Sequence, residues 1–372
     1  MKRMHNKYGL ISIVVFLGVI LSSCTEIYHP EIDVQDDVLV VDALITDQPG
    51  PYKISLSYAQ PFDMVNSYRP IPDAEVYVID NLGNRADFHA NWKGEYFSDP
   101  ELFQADTLSV YTLIINTSDQ EVYRSEPVQM VKTNTSETSY GFFSKKQFLK
   151  EDVDGTQMME EKDWVNIYLN TLITGKEIPG IRFEPKLVIF SLYYMDPYGQ
   201  GDVLPFYAWR TYYPDIRVIS EELAESTEAG GQIAYYDREI CSFEYREFIK
   251  ARDYRLEIDT MNSRIVKYAL IIDQYHLNES STTFYSDLAR QVQSENRIFD
   301  PLPLDVRGNI TCVTHPDRKV IGLFEVSGCQ QVAFRILTRK DVNQVEVSPV
   351  EPLLPDPPLG SVPDEPPYFW IN

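Results

Sequence analysis

Residues 38–58 read VLVVDALITDQPGPYKISLSY, an apolar run that stops at a turn and resumes as an alternation. Val38 to Thr46 is rich in β-branched residues, Asp47-Gln48-Pro49-Gly50 is turn chemistry, and Tyr52, Ile54, Leu56 and Tyr58 then alternate with Lys53, Ser55 and Ser57. Successive side chains on a strand point to opposite faces, so a period of two on either side of a Pro-Gly break predicts two strands, half buried on a core. The pattern recurs downstream in Ala74, Val76 and Val78 before the turn Asn81-Leu82-Gly83-Asn84, in Glu95-Tyr96-Phe97, and in Tyr111, Leu113 and Ile115. Val122 to Met130 reads as a closing strand. Six or seven short strands in about a hundred residues predict an immunoglobulin- or fibronectin-like β-sandwich over residues 38–132.

Residues 133–154 change character, polar and with little periodicity, and mark a boundary or long excursion. Strands resume at Trp164–Thr171, Leu187–Tyr194, Pro205–Tyr213, Arg255–Ile258 and Val266–Leu277, then at Ile310–Val313, Val320–Val326 and Val332–Leu337. Between them one helix stands out at about 280–295. Ser280 or Ser281 is placed to cap it, and Tyr285, Leu288, Ala289 and Val292 form a stripe at helical spacing that would lie on the sheet. The expected fold is therefore mainly β, with a second, larger β-rich domain over 133–347 that carries this helix. A tail at 348–372 holds eight prolines between Pro349 and Pro367, and its apolar end, Tyr368-Phe369-Trp370-Ile371, is suited to dock back on the body.

The start of the chain decides its address. Lys2, Arg3 and Lys7 precede an apolar run from Leu10 to Leu21, and Leu21-Ser22-Ser23-Cys24 has the form of a lipobox. The apolar run is short for a spanning helix, so residues 1–23 read as a lipoprotein signal, Cys24 as the lipidated residue, and 24–37 as an acidic tether. Two or three acyl chains on Cys24 make a lasting membrane anchor. Cleavage removes three basic and no acidic residues from the 33 Lys plus Arg, leaving 30 against 56 Asp plus Glu, so net charge moves from −23 to −26. No run of Lys or Arg after the signal offers the basic face that phosphate neutralisation needs, which excludes ordinary nucleic-acid binding.

Reactive chemistry is hard to place. Cys241, Cys312 and Cys329 remain after lipidation, an odd number that allows at most one disulfide, with three pairings open. His29, His89, His276 and His315 read as ordinary, and no Gly-x-Ser-x-Gly, Walker loop, His-Glu-x-x-His or Ser-x-x-Lys pattern appears in the mature chain. No catalytic residue, metal ligand or cofactor is predicted. Asp152-Val153-Asp154-Gly155 begins like a calcium loop but has its Gly at the wrong place and no Glu at the twelfth. The remaining candidate is aromatic: Tyr207, Trp209, Arg210, Tyr212 and Tyr213, on a strand next to Tyr193-Tyr194, form a candidate ligand-contact surface.

The segments Val40-Val41-Asp42-Ala43-Leu44-Ile45-Thr46-Asp47-Gln48-Pro49-Gly50-Pro51-Tyr52 and Asp73-Ala74-Glu75-Val76-Tyr77-Val78, with a later block, resemble a family. The later block is the helix around Tyr285, Ile298-Phe299-Asp300, Pro303, Gly308-Asn309-Ile310 and Ile321-Gly322-Leu323-Phe324-Glu325. The family is the Bacteroidota lipoprotein family known as domain of unknown function 4249. The resemblance implies an outer-membrane lipoprotein, often encoded near a TonB-dependent transporter, with no established activity. The expected role is a non-enzymatic accessory of such a transporter, binding cargo or the transporter itself. Alternatives are a surface glycan or peptide hydrolase, and an adhesive or scaffolding module. The periplasmic or surface face stays open.

Overall fold

The computed structural model describes residues 38–59, 69–151, 155–174, 178–195, 204–214, 217–220, 233–245, 265–294, 306–339 and 343–350. The lipobox, Cys24, the tether and residues 351–372 lie outside them, as do Arg255–Ile258 and the loop at 152–154. The chain is mainly β, as its alternation predicts. Among the described residues there are nineteen strands and one helix, and no helix is long and apolar enough to cross a membrane.

The opening strand β1 (Leu39–Thr46) pairs antiparallel with β2 (Lys53–Tyr58), with Ala43 opposite Ile54. Leu39, Val41, Ala43 and Ile45 point inward and are buried. From β2 a ladder runs through β3 (Arg69–Pro70), β4 (Glu75–Asp80), β5 (Arg85–Ala90), β6 (Glu95–Ser98), β7 (Val110–Asn116), β8 (Val122–Ser125) and β9 (Val128–Gln129). Its inward positions include Ile54, Leu56, Val76, Val78, Tyr96, Leu113, Ile115 and Tyr123, in one cluster. Alternation thus set one face of each strand against a shared core.

The second ladder is longer. An extended hairpin pairs β10 (Asn134–Glu151), which occupies the stretch expected as a polar boundary, with β11 (Gln157–Thr174), which contains the strand expected at Trp164–Thr171; each has 18 residues. β12 (Gly180–Met195) pairs with β13 (Leu204–Tyr212), β14 (Arg217–Ser220) and β16 (Ile265–Leu277), and β11 pairs with β15 (Ile233–Glu244). Long strands with polar faces escape a period-two reading because few of their residues meet a core. Around Val165, Ile167, Phe183, Leu187, Phe243, Leu270, Ile272 and Phe334 a second core closes.

The helix, α1 (Glu279–Ser294), begins ahead of both expected caps, Ser280 and Ser281. Asn278 is the cap: its Oδ1 accepts the Ser281 N–H at 2.9 Å. The stripe is also turned from expectation, since Ser281 and Thr282 are buried whereas Leu288 is exposed. Tyr285 draws the helix round, because its hydroxyl has a buried carboxylate to bond, described below.

The chain then returns to the first ladder. β17 (Ile310–Cys312) pairs with β8, and the first half of β18 (Val320–Arg339) pairs parallel with β1, Ala43 opposite Phe324. The second half of β18 pairs with β16 and with β19 (Gln344–Val350). Strand β18 therefore joins both ladders, and from Val38 onwards the chain clusters as one compact unit. The expected division at 132/133 assigned 310–327 to the second region, but these residues complete the first. Contact order along the chain is invisible to local periodicity.

Two glycines make this return feasible. Gly322 has φ +121°, and a Cβ on it would lie 1.8 Å from the Val41 carbonyl oxygen. A Cβ on Gly308 would lie 1.4 Å from the Gly322 oxygen. Three backbone segments pass within contact distance there, which only residues without side chains allow.

Candidate functional site

Alternation on β1 leaves a second face, with Asp42, Leu44 and Thr46 pointing away from the first core. That face forms one wall of a cleft of about 650 Å³, completed by β12, β16, β18 and α1. The opposite wall is built of cross-strand rungs. Arg182, Tyr275 and Cys329 lie side by side on β12, β16 and β18, and Glu184, Asp273 and Gln331 form the next rung.

Arg182 is only 3% exposed and organises this wall. Its Nη2 donates to Glu325 Oε1 at 3.1 Å, and its Nη1 to Glu184. The guanidinium lies 4.1 Å from the Tyr275 ring centroid and 5.0 Å from that of Tyr285. Glu325 also accepts the Tyr285 hydroxyl at 2.7 Å and the Ser327 hydroxyl at 2.8 Å. Asp273 accepts from Gln331 at 2.7 Å and pairs with Lys186 at 3.1 Å. The one gap is Arg182 Nε, a buried donor with no hydrogen-bond partner among the described residues.

Protonation follows from these contacts. Burial alone pulls the Arg182 guanidinium down, yet Glu325, Tyr285 and Glu184 outweigh it and leave the group more basic than usual. Burial, then the Glu325 charge, raises the Tyr285 phenol; burial, then Glu184, raises Tyr275. Both phenols are held as donors. Burial, with Asp273 and Asp47, pushes the Cys329 thiol up to about 12, so it is no nucleophile at neutral pH. Asp47 and Gln48, in the first turn, bind the Cys329 backbone N–H at 2.7 Å and carbonyl at 3.0 Å. The predicted turn thus docks on β18 at the edge of the cleft.

Of the five aromatic-strand candidates, the structure describes the side chains of Tyr212 and Tyr213. β13 does lie beside β12, with Trp209 opposite Phe190 and Tyr212 opposite Leu187. Tyr212 and Tyr213 are exposed, the latter 70%, and neither is among the residues lining the cleft. The side chains of Tyr207, Trp209 and Arg210 lie outside the described residues. Cleft residues Tyr275, Tyr285 and Glu325 were missed because each sits in a segment read as packing.

A second cluster lies at the β7–β8 turn. Glu121, buried, accepts Thr314 Oγ1 at 2.9 Å and Cys312 Sγ at 3.1 Å, and its other oxygen is 2.9 Å from His315 Nδ1. The candidate ligand atoms of Glu121, Cys312 and His315 all lie within 4.8 Å of one another. Burial raises the Glu121 carboxyl, but the donors from Cys312, His315 and Thr314 together with Arg318 bring it down to about 2. Cys312-x-x-His315 was the sequence signal, and it passed unnoticed because its third member is 191 residues away. Cys241, Cys312 and Cys329 are all buried thiols, and none of the three pairings left open by the sequence is present among the described residues.

A family model described as "Domain of unknown function (DUF4249)" matches residues 25–331. No curated protein matches the chain. A solved structure concerned with carbohydrate-binding modules of the β-sandwich superfamily is similar at 10% identity over 56% of this chain and 96% of that one. Its TM-score of 0.13 is too low to support an argument.

Proposed function

Because the chain belongs to the DUF4249 family, whose description names no activity, we propose its role from its own cleft and its own N-terminus. The protein is a non-enzymatic lipoprotein, anchored through Cys24 to the outer membrane, that serves a TonB-dependent transporter by holding cargo. The observation that carries this reading is the cleft between the two ladders. At about 650 Å³ it has the size of small-molecule sites, and its walls mix Tyr52, Tyr275, Phe284 and Tyr285 with polar groups already fixed in place.

Lining charge narrows the cargo. Asp42, Glu184, Asp273 and Glu325 face only Lys53 and Arg182, which favours a neutral or cationic molecule with hydroxyl or amine donors. The same contacts weigh against hydrolysis. A glycosidase needs a carboxyl free to pass a proton, and here Glu184 and Glu325 both accept from Arg182 while Asp273 pairs with Lys186.

The test is extraction of the intact protein from detergent-solubilised membranes and identification of what accompanies it. A transporter and a small ligand are expected with the wild type. Leu288→Trp, which fills the cleft mouth, should lose the ligand and keep the transporter. A wild type that runs alone and carries nothing overturns the proposal.

One observation favours a second reading, a contact module. The far half of the β10–β11 hairpin carries exposed Leu149, Met158 and Met159, an apolar tip suited to a partner protein.

A further inference from the structure

We propose that Glu121, Cys312 and His315 form a binding site for one zinc-class divalent ion. The donor set is one thiol, one imidazole nitrogen and one carboxylate, three ligand types that zinc takes together. The spacing fits as well. Ligand atoms about 2.0 to 2.3 Å from a tetrahedral ion stand about 3.5 Å apart; here Glu121 Oε2 is 3.1 Å from the sulfur and 3.1 Å from His315 Nδ1, and all three ligand atoms lie within 4.8 Å of one another. Small side-chain shifts bring the three donors to the separations an ion requires.

The scaffold holds all three in place. Cys312 ends β17 opposite Tyr123, and the Val313 N–H donates to the Val122 carbonyl at 2.7 Å, so the sulfur is pinned beside the residue that precedes β8. His315 sits on the turn that follows, its own N–H 3.4 Å from the same sulfur, with the Arg318 N–H closing the turn onto the His315 carbonyl at 2.9 Å. Glu121 closes the β7–β8 turn, where its carbonyl accepts from Thr117 at 3.0 Å. Glu121 and Cys312 are buried, whereas His315 is 64% exposed on its side chain, so an ion can reach the cluster from solvent.

Charge balance is favourable. On binding, the Cys312 S–H bond breaks, the sulfur forms its bond to the ion and the proton leaves to solvent. One carboxylate and one thiolate then neutralise the divalent charge. Because binding releases the thiol proton, it weakens as pH falls. Arg318, 3.7 Å from the Glu121 carboxylate, competes with the ion for it.

Without an ion, the cluster is simply a buried carboxylate satisfied by three donors, and an experiment separates the two. The purified full-length protein, freed of metal by a chelator under a phosphine reductant, is titrated with Co²⁺ and then Zn²⁺. One Co²⁺ per chain is expected, with a thiolate-to-metal absorption band that Zn²⁺ removes. Cys312→Ser should abolish the band, and His315→Ala should weaken Zn²⁺ binding at least about tenfold; Cys329→Ser should keep both. Arg318→Ala should tighten binding. A folded wild type with no band and no stoichiometric ion overturns the proposal, as does a band that survives Cys312→Ser. If that variant does not fold, unchanged Zn²⁺ affinity in the surface variant His315→Ala overturns it.

Discussion

Arg182 and Glu325 meet at 3.1 Å across 143 positions of chain, both almost wholly buried, on strands β12 and β18. A buried ion pair of this kind is costly to break from one side, because the survivor keeps its charge and loses a partner, here leaving Arg182 with Glu184 as its remaining carboxylate. Glu325→Ala should therefore lower unfolding free energy by about 3 to 5 kcal/mol, read as a lower urea midpoint. Adding Arg182→Met should restore part of that loss. A double variant less stable than Glu325→Ala alone would show that the pair is not the unit that matters.

How much of this was legible follows from which residues carry it. Leu39, Val41, Ala43 and Ile45 announce their core face by alternation, and Val76, Val78, Leu113 and Ile115 do the same. The helix was legible through Tyr285 and its neighbours, but its orientation was not, since that depends on a bond to Glu325. The cleft was illegible for the same reason: Arg182, Tyr275 and Cys329 become neighbours only through cross-strand register. Tyr212 and Tyr213 show a related limit: aromatic density is a local property that sequence displays, whereas enclosure of a site depends on which strands meet, and neither ring lines the cleft.

Gly322 should tolerate nothing larger. Its φ of +121° and the 1.8 Å approach of a would-be Cβ to the Val41 oxygen combine strain with a backbone clash. Gly322→Ala is expected to prevent stable folding. Gly83→Ala has a positive φ but open space, and should cost only about 1 to 2 kcal/mol. Equal melting temperatures for the two variants would contradict the close packing of β18 on β1.

His276 makes stability depend on pH. It is fully buried, its Nδ1 accepts the Thr133 N–H at 3.2 Å, and burial, aided by Lys132, lowers its pKa from 6.5 to about 4. The unfolded chain therefore binds a proton that the folded chain refuses between those values. Stability is complete above pH 6.5 and declines as pH falls toward 4, by about 3 kcal/mol. Urea denaturation from pH 7 to 4 should show that slope, and His276→Gln should flatten it. A slope unchanged by the substitution assigns the proton elsewhere.

The proposed anchor has a direct check. Cys24→Ser should move the protein from the membrane fraction to the soluble one, and intact-mass analysis should find the parent diacylglyceryl-modified and the variant unmodified. A serine variant that still partitions with membranes, from a parent without lipid, removes the basis for placing the chain at a bilayer.

The β10–β11 hairpin separates a cargo role from a contact role. Beyond Asp163, β11 toward its start pairs only with β10 in the described ladder, and Leu149 sits opposite Met159 with both side chains in solvent. An apolar cross-strand pair on a projecting ribbon contributes little to the fold and invites association, a cost that natural sheets usually avoid with charge. Leu149→Lys with Met159→Glu replaces it by a favourable opposite-charge pair, so stability should change by less than about 0.5 kcal/mol. If the tip contacts the transporter, copurification from detergent extracts should fall while the cleft keeps its ligand. If instead copurification persists, the transporter binds another face and the ribbon is no more than an exposed hairpin.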